Sequence, residues 1–258
     1  MESSKLGCII KGFYLGILMY ADDIVLMSTS LHDLQLMINL CFSELNKIDM
    51  IVNIKKTMCM RIGSRFNVHC ASPILGGIRL TWVSQIRYLG VFIDSGNTFK
   101  IDLSVAKRKF FVSCNSIFSK VAPYRADIVL PLIMSYCVPS LTYGIESVHL
   151  NKTELTRLEH PYTMVFHKIF GTYSKNIILS CQYFTGFLPL RHLYNLKKLC
   201  FFISLKELSI HNELCKYLYD NCIHDQFAAI AIEYGVLETD SKPSIKHKIW
   251  TLFNLECV

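Results

Sequence analysis

Asp22 and Asp23 are adjacent carboxylates set between two short, almost wholly apolar runs, Tyr14 to Met19 and Ile24 to Ser28. Apolar runs around a polar pair read as a buried hairpin with Tyr20, Ala21, Asp22 and Asp23 at its tip. Two carboxylates in such a place repel one another and lose hydration, and a divalent cation relieves both costs. Mg²⁺ is held by one or two carboxylates, with water and phosphate oxygens completing its shell. Two such ions drive phosphoryl transfer by activating the attacking oxygen and stabilising the leaving one. The plainer alternative is an exposed turn carrying an ordinary Asp-Asp pair.

The elements that would position this tip follow directly. Ser30 with Asp33 three residues later is a capping-box-like helix start. Leu34, Met37, Ile38, Cys41, Leu45 and Ile48 then mark one helical face. From Val52 the period becomes two, with Met58, Met60 and Ile62 alternating with Thr57, Cys59 and Arg61 as in a half-buried strand. Gly76-Gly77 is a turn signal before a strand over Ile78 to Val83. A second strand, Ile86 to Ile93, ends at the turn Asp94-Ser95-Gly96-Asn97.

Beyond residue 96 the apolar spacing is helical. A helix from about Asp102 to Lys120 carries Lys107, Arg108, Lys109 and Lys120. Leu155, Leu158, Tyr162, Val165 and Ile169 form a clean stripe, with Pro161 inside it expected to bend the helix. Leu188 to Leu205 is another apolar-faced helix, carrying the bases Arg191, His192, Lys197 and Lys198. The uncharged stretch Ile128 to Ile145 contains Pro131 and Pro139 and barely reaches bilayer-spanning length. It reads as a buried helix pair broken at the prolines, and no membrane span is expected. The expected fold class is therefore α+β, with residues 1–96 mixed and residues 97–258 helical.

Composition narrows the function. At 52% hydrophobic and 18% charged residues, the chain is no disordered tail, collagen-like fibre or coiled-coil rod. A formal charge of +7 favours a polyanionic partner. The eleven cysteines include no C-x-x-C pair, and the cluster Cys215, Cys222 and His224 lacks a fourth ligand at usual spacing. They read as small buried hydrophobes in a reducing compartment. Met1 to Lys11 lacks the pattern of a secretory signal, so an intracellular protein of the cytoplasm or nucleus is expected.

Tyr20-Ala21-Asp22-Asp23 followed by Ile24-Val25-Leu26-Met27-Ser28 resembles the catalytic hairpin of reverse transcriptases. Asn53-Ile54-Lys55-Lys56-Thr57 with Met58 to Gly63 looks like the next palm motif of the non-LTR (LINE-type) retrotransposon enzymes. Ile86-Arg87-Tyr88-Leu89-Gly90-Val91 resembles their primer-grip region. Tyr136 to Gly144 and Leu155 to Gly171 resemble their helical thumb. Group II intron maturases and telomerase share the hairpin, but the neighbourhoods of Lys56 and of Tyr88 to Gly90 favour the LINE type. The resemblance runs in order from about residue 8 to about residue 205, and residues 206–258 resemble nothing placed.

The resemblance implies a partial polymerase palm over 1–96 followed by a thumb-like region, copying an RNA template onto a DNA primer from deoxynucleotide triphosphates with Mg²⁺. Asp22 would be a metal ligand supported by Asp23. Tyr20 and Ala21 would lie by the primer end and incoming nucleotide. Lys56 would be a proton donor to departing pyrophosphate, with Lys55 beside it leaving the choice between the two open. Tyr88, Leu89 and Gly90 would hold the primer, and Lys107, Arg108 and Lys109 would contact phosphates. The family's palm has a further catalytic aspartate well upstream, whereas only 21 residues precede Asp22 here. The chain alone is therefore expected to be inactive, and a non-catalytic nucleic-acid-binding relic is the alternative. Asp49-Met50 stands where these enzymes often have a glycine turn, and Pro161 interrupts a helix usually written without one. Oligomeric state is not legible.

Overall fold

A computed structural model describes residues 6–121 and 125–257, apart from the side chains of 222–226. The fold is α+β, as expected from the change in periodicity. The chain divides into two compact units, Met1–Asp102 and Leu103–Val258.

The first unit is built from small sheets around one helix. Strands β1 (Ile9–Ile10) and β2 (Phe13–Tyr14) pair, as do β3 (Ile17–Tyr20) and β4 (Asp23–Leu26), both antiparallel. Helix α1 (Leu31–Lys47) follows, its N-terminus capped by the Ser30 hydroxyl accepting from the Asp33 N–H at 3.0 Å. Met37 and Ile38 are buried on it, whereas Ile48, expected on the same face, lies past its end and is 62% exposed. The helix ends in a Schellman motif. The Met50 N–H reaches the Leu45 carbonyl at 3.0 Å and the Asp49 N–H reaches the Asn46 carbonyl at 3.3 Å. Asp49 has φ +56, the left-handed conformation that glycine takes in this motif. Aspartate thus stands in a conformation suited to glycine.

The strand expected from Val52 is only β5 (Met58–Cys59), and its faces are reversed. Cys59 is the buried residue, at 8% exposure, while Met58 is 48% exposed. The reason is packing: Cys59 joins Ile38, Leu75 and Leu80 in the core of this unit. β6 (Ile74–Leu75) and β7 (Ile78–Arg79) form a hairpin across Gly76 and Gly77, both at positive φ as a type I′ turn requires. The expected strand Ile78 to Val83 is split, because buried Leu80 separates β7 from β8 (Thr81–Trp82). The latter pairs parallel with β5. The expected strand Ile86 to Ile93 is a hairpin instead. β9 (Gln85–Tyr88) turns at Leu89-Gly90 into β10 (Val91–Asp94), which also pairs with β11 (Lys100–Ile101).

The second unit is helical throughout. It comprises α2 (Ser104–Lys120), α3 (Ala126–Leu132), α4 (Val138–Leu141), α5 (Lys152–Phe170), α6 (Lys175–Thr185), α7 (Leu190–Leu208), α8 (Glu213–Leu218), α9 (His224–Tyr234) and α10 (Lys242–Cys257). The stretch around Pro131 and Pro139 is not a pair of helices broken at the prolines. α3 runs through a π-turn, Ile133–Cys137, into α4, where the Val138 N–H reaches back to the Ile133 carbonyl. That wider ring comes just before Pro139, which has no N–H to continue a normal ladder. α5 is one helix despite Pro161. It opens on a full capping box between Asn151 and Glu154 and buries Leu158, Tyr162, Val165 and Ile169, as the stripe predicts.

α7 serves two cores. Leu190 and Tyr194 join the cluster of Phe110, Val129, Ile133, Leu158 and Tyr162. Leu199, Phe202 and Ile203 join Phe227, Ile249 and Phe253. No helix among the described residues is long and apolar enough to cross a membrane. Cys59, Cys114 and Cys137 are buried free thiols, while Cys8, Cys41, Cys70, Cys181, Cys200, Cys215 and Cys257 are only half-buried, short of the burial expected. The side chains of Cys222 and His224 lie outside those described.

Candidate functional site

In the β3–β4 hairpin Tyr20 pairs directly with Asp23, leaving Ala21 and Asp22 as a two-residue turn. Ala21 sits at φ +50, a left-handed conformation that costs a non-glycine residue about 1 kcal/mol. The base of the hairpin is tied into the chain on both sides. The Met27 N–H donates to the Gly16 carbonyl at 2.8 Å, the Cys8 N–H to the Met27 carbonyl at 3.0 Å, and the Leu15 N–H to the Cys8 carbonyl at 2.8 Å. Leu26 then packs with Leu34 and Ile38, so β4 is carried on α1.

The tip itself is not buried, contrary to expectation. Met19 and Tyr20 are each 64% exposed, and Ala21, Asp22 and Asp23 are exposed as well. The physical reason is the two-stranded sheet, which gives the distal half of the hairpin no neighbouring strand to cover it. Desolvation therefore does not demand a cation here. The donor chemistry still fits one. Neither carboxylate has an ion pair or side-chain hydrogen bond among the described residues, and Mg²⁺ takes one or two carboxylates plus water and phosphate. Among the described residues no group of three or more His, Cys, Asp or Glu side chains gathers to hold a metal.

Lys55 and Lys56 lie in a turn rather than at the start of a strand. The Asn53 carbonyl accepts from the Lys56 N–H at 3.1 Å, from the Thr57 N–H at 3.1 Å and from the Thr57 hydroxyl at 3.0 Å. Val52 and Ile54 anchor this turn in the core that also holds Leu26 and α1. One small core thus carries both the aspartate hairpin and the lysine turn. The structure separates the two lysines, since Lys55 lines a groove with Arg79 and Lys56 does not. Sequence reading passed over Arg79. Its only signal was a lone cation in the apolar run Ile78 to Val83.

Tyr88, Leu89 and Gly90 form the tip of the β9–β10 hairpin. Tyr88 pairs with Val91, and Leu89 (φ +46) and Gly90 (φ +84) make the turn. Positive φ at both central residues is the type I′ geometry, which explains why an apparently continuous strand reverses there. At the base, the Gln85 amide donates to Asp94 at 2.8 Å and to Asp102 at 3.2 Å. The Ser95 hydroxyl donates to the Arg61 carbonyl at 2.7 Å, tying the chain just past β10 to the chain just past β5. The candidate residues of the first unit thus stand on three separate turns.

Lys107, Arg108 and Lys109 belong to the second unit, on the first turns of α2. Arg108 and Lys109 are exposed and Lys107 is half-buried, with no ion pair among the described residues. The bases of α7 behave differently from the expected basic face. Arg191 pairs with Glu233, and the Lys197 ammonium donates to the Thr142 carbonyl at 3.2 Å. Lys198 lies over the Tyr194 ring at 5.6 Å, and burial pulls its pKa down. His192 is buried, its Nδ1 2.8 Å from the Tyr234 hydroxyl and its Nε2 3.1 Å from Glu256. His192, Lys197 and Lys198 are thus held by packing partners, while Arg191 stays exposed in its pair with Glu233.

No curated protein and no solved structure matches the chain. Residues 6–93, the segment from just before β1 into β10 that contains the Asp22 hairpin, the lysine turn and the Leu89-Gly90 turn, match the model of the reverse transcriptase (RNA-dependent DNA polymerase) family.

Proposed function

We propose that the first unit is the catalytic-hairpin portion of a reverse transcriptase palm of the non-LTR (LINE-type) class, and that the second unit is its thumb-like region. The observation that carries this reading is Asp22 on an open two-residue turn with Asp23 beside it at the start of β4, inside the segment that matches the family. The substrates are an RNA template, a DNA primer and deoxynucleotide triphosphates, and the protein acts inside the cell.

Asp22, supported by Asp23, would hold Mg²⁺, which when bound supplies positive charge at the reacting phosphates and acidifies the primer 3′-hydroxyl. Tyr20 and Ala21 flank the primer end, and the fixed Ala21 conformation holds Asp22 at the turn. Lys56 donates a proton to the departing pyrophosphate. Tyr88, Leu89 and Gly90 hold the primer strand. Lys107, Arg108 and Lys109 contribute phosphate contacts that give affinity without reading sequence. Among the described residues no third carboxylate joins Asp22 and Asp23, and two are too few for a complete two-ion site, so the reading includes that this chain alone does not polymerise.

A second reading is favoured by the exposure of the aspartate tip: a nucleic-acid-binding protein that uses its basic helix and has no metal chemistry. Binding of a fluorescent RNA–DNA primer–template, with and without Mg²⁺, separates the two. The polymerase reading predicts that Mg²⁺ tightens binding several-fold and that Asp22→Ala removes this gain. Affinity indifferent to both Mg²⁺ and Asp22→Ala would leave the second reading standing.

A further inference from the structure

We propose that the groove between residues 52–58 and 78–83 docks an extended, acidic and aliphatic peptide segment of a protein partner. The groove is open to solvent and has a volume of about 730 Å³. Its walls are aliphatic, with half-buried Val52 and Ile54 and 54%-exposed Ile78 lining it and buried Leu80 beneath them. Lys55 and Arg79 supply its charge, and among the described residues no carboxylate and no aromatic ring lines it. Neither cation has an ion pair among the described residues. The Thr57 hydroxyl is already spent on the Asn53 carbonyl. The groove therefore offers positive charge above an apolar floor, and an occupant must present carboxylate or phosphate together with apolar surface.

The floor decides between these. Single-stranded nucleic acid is held by aromatic side chains on which its bases stack, and none is present. Leucine, isoleucine or valine side chains of a peptide match an aliphatic floor, and their acidic neighbours match Lys55 and Arg79. The apolar surface also continues into the chain that enters the groove, where Met50 is exposed and Ile51 is 96% exposed. Exposed apolar surface with a charged rim is the ordinary signature of a protein-binding site. The inference does not use Asp22 or Lys56, and stands or falls apart from the polymerase reading.

The test uses the full chain and a fluorescein-labelled ten-residue peptide in which leucine and glutamate alternate, read by polarisation. Controls are the same peptide with serine for leucine, the same peptide with lysine for glutamate, and a labelled uridine decamer. Saturable binding of the leucine–glutamate peptide is expected, at least tenfold tighter than either peptide control. Arg79→Glu should weaken it at least tenfold and Ile78→Ser at least fivefold. No saturable binding to the wild-type chain, or unchanged affinity in Arg79→Glu, overturns the proposal. A uridine decamer that binds more tightly than the peptide and is lost in Arg79→Glu also overturns it, making the groove a nucleic-acid site. If Arg79→Glu fails to fold, hydrogen exchange on the wild-type chain decides. Slowing confined to 52–58 and 78–83 on adding peptide supports the proposal, and slowing elsewhere or nowhere overturns it.

Discussion

Asp22 and Asp23 illustrate how exposure changes an argument about single residues. A buried acidic pair needs a counter-charge, whereas an exposed one is stable in water and remains available to a cation delivered with phosphate. Asp240, in the second unit, shows the opposite situation. Its carboxylate accepts from the Leu237 N–H at 2.7 Å and the Ser244 hydroxyl at 2.8 Å, and pairs with Lys248. The Leu237 backbone bond above all, with Lys248 and Ser244, holds its pKa down at about 2. An unfolded aspartate titrates near ~3.9, so the folded state prefers the carboxylate. The resulting stability is present above about pH 4 and is lost as the pH falls toward 2. Asp240→Asn is expected to destabilise the second unit by about 1.5 kcal/mol at pH 7, the scale of hydrogen bonds to a charged group. Denaturation curves of the two proteins should converge as the pH approaches 2.

At the scale of elements, α1 positions the candidate site, because β4, β6 and the lysine turn all pack on it. Gln35 of α1 even acts as a strand partner. Its amide donates to the Ile74 carbonyl and accepts from the Ile74 N–H, both at 2.7 Å. The Schellman motif that ends α1 holds Asp49 in a conformation suited to glycine. Asp49→Gly should therefore raise stability by only about 0.5 kcal/mol in urea denaturation, the relief of left-handed strain less the entropy that glycine loses. A loss of stability would mean that the aspartate side chain itself holds the turn.

The same elements show what the sequence makes legible. Helices with full stripes, such as α1 and α5, were readable because burial imposes the 3.6 period along their whole length. The Asp22 hairpin was readable because a polar tip separates two apolar runs. The Leu89-Gly90 reversal and the burial of Cys59 were not. In both, a two-residue turn or a tertiary core contact set the outcome, and neither leaves a repeating pattern. Exposure of the Asp22 tip was likewise illegible, since it depends on how many strands the sheet contains.

Across the whole molecule, the two units differ in how much they bury. The first unit's core is Ile38, Cys59, Leu75 and Leu80 with a few flanking side chains, whereas α7 in the second unit is shared by two larger clusters. Local stability follows buried apolar packing, so amides of β3, β4 and β9 should exchange before those of α5 and α7 at low denaturant. Equal protection in the two units would show that they open together. The proposed role of the aspartate hairpin is as part of a polymerase site that two carboxylates alone do not complete. The most direct test is primer extension by the 258-residue chain on an RNA template with Mg²⁺ and deoxynucleotide triphosphates, under conditions where primer–template binding is measured in the same sample. The expected result is bound primer–template with no incorporation. Incorporation that vanishes in Asp22→Ala would contradict the account.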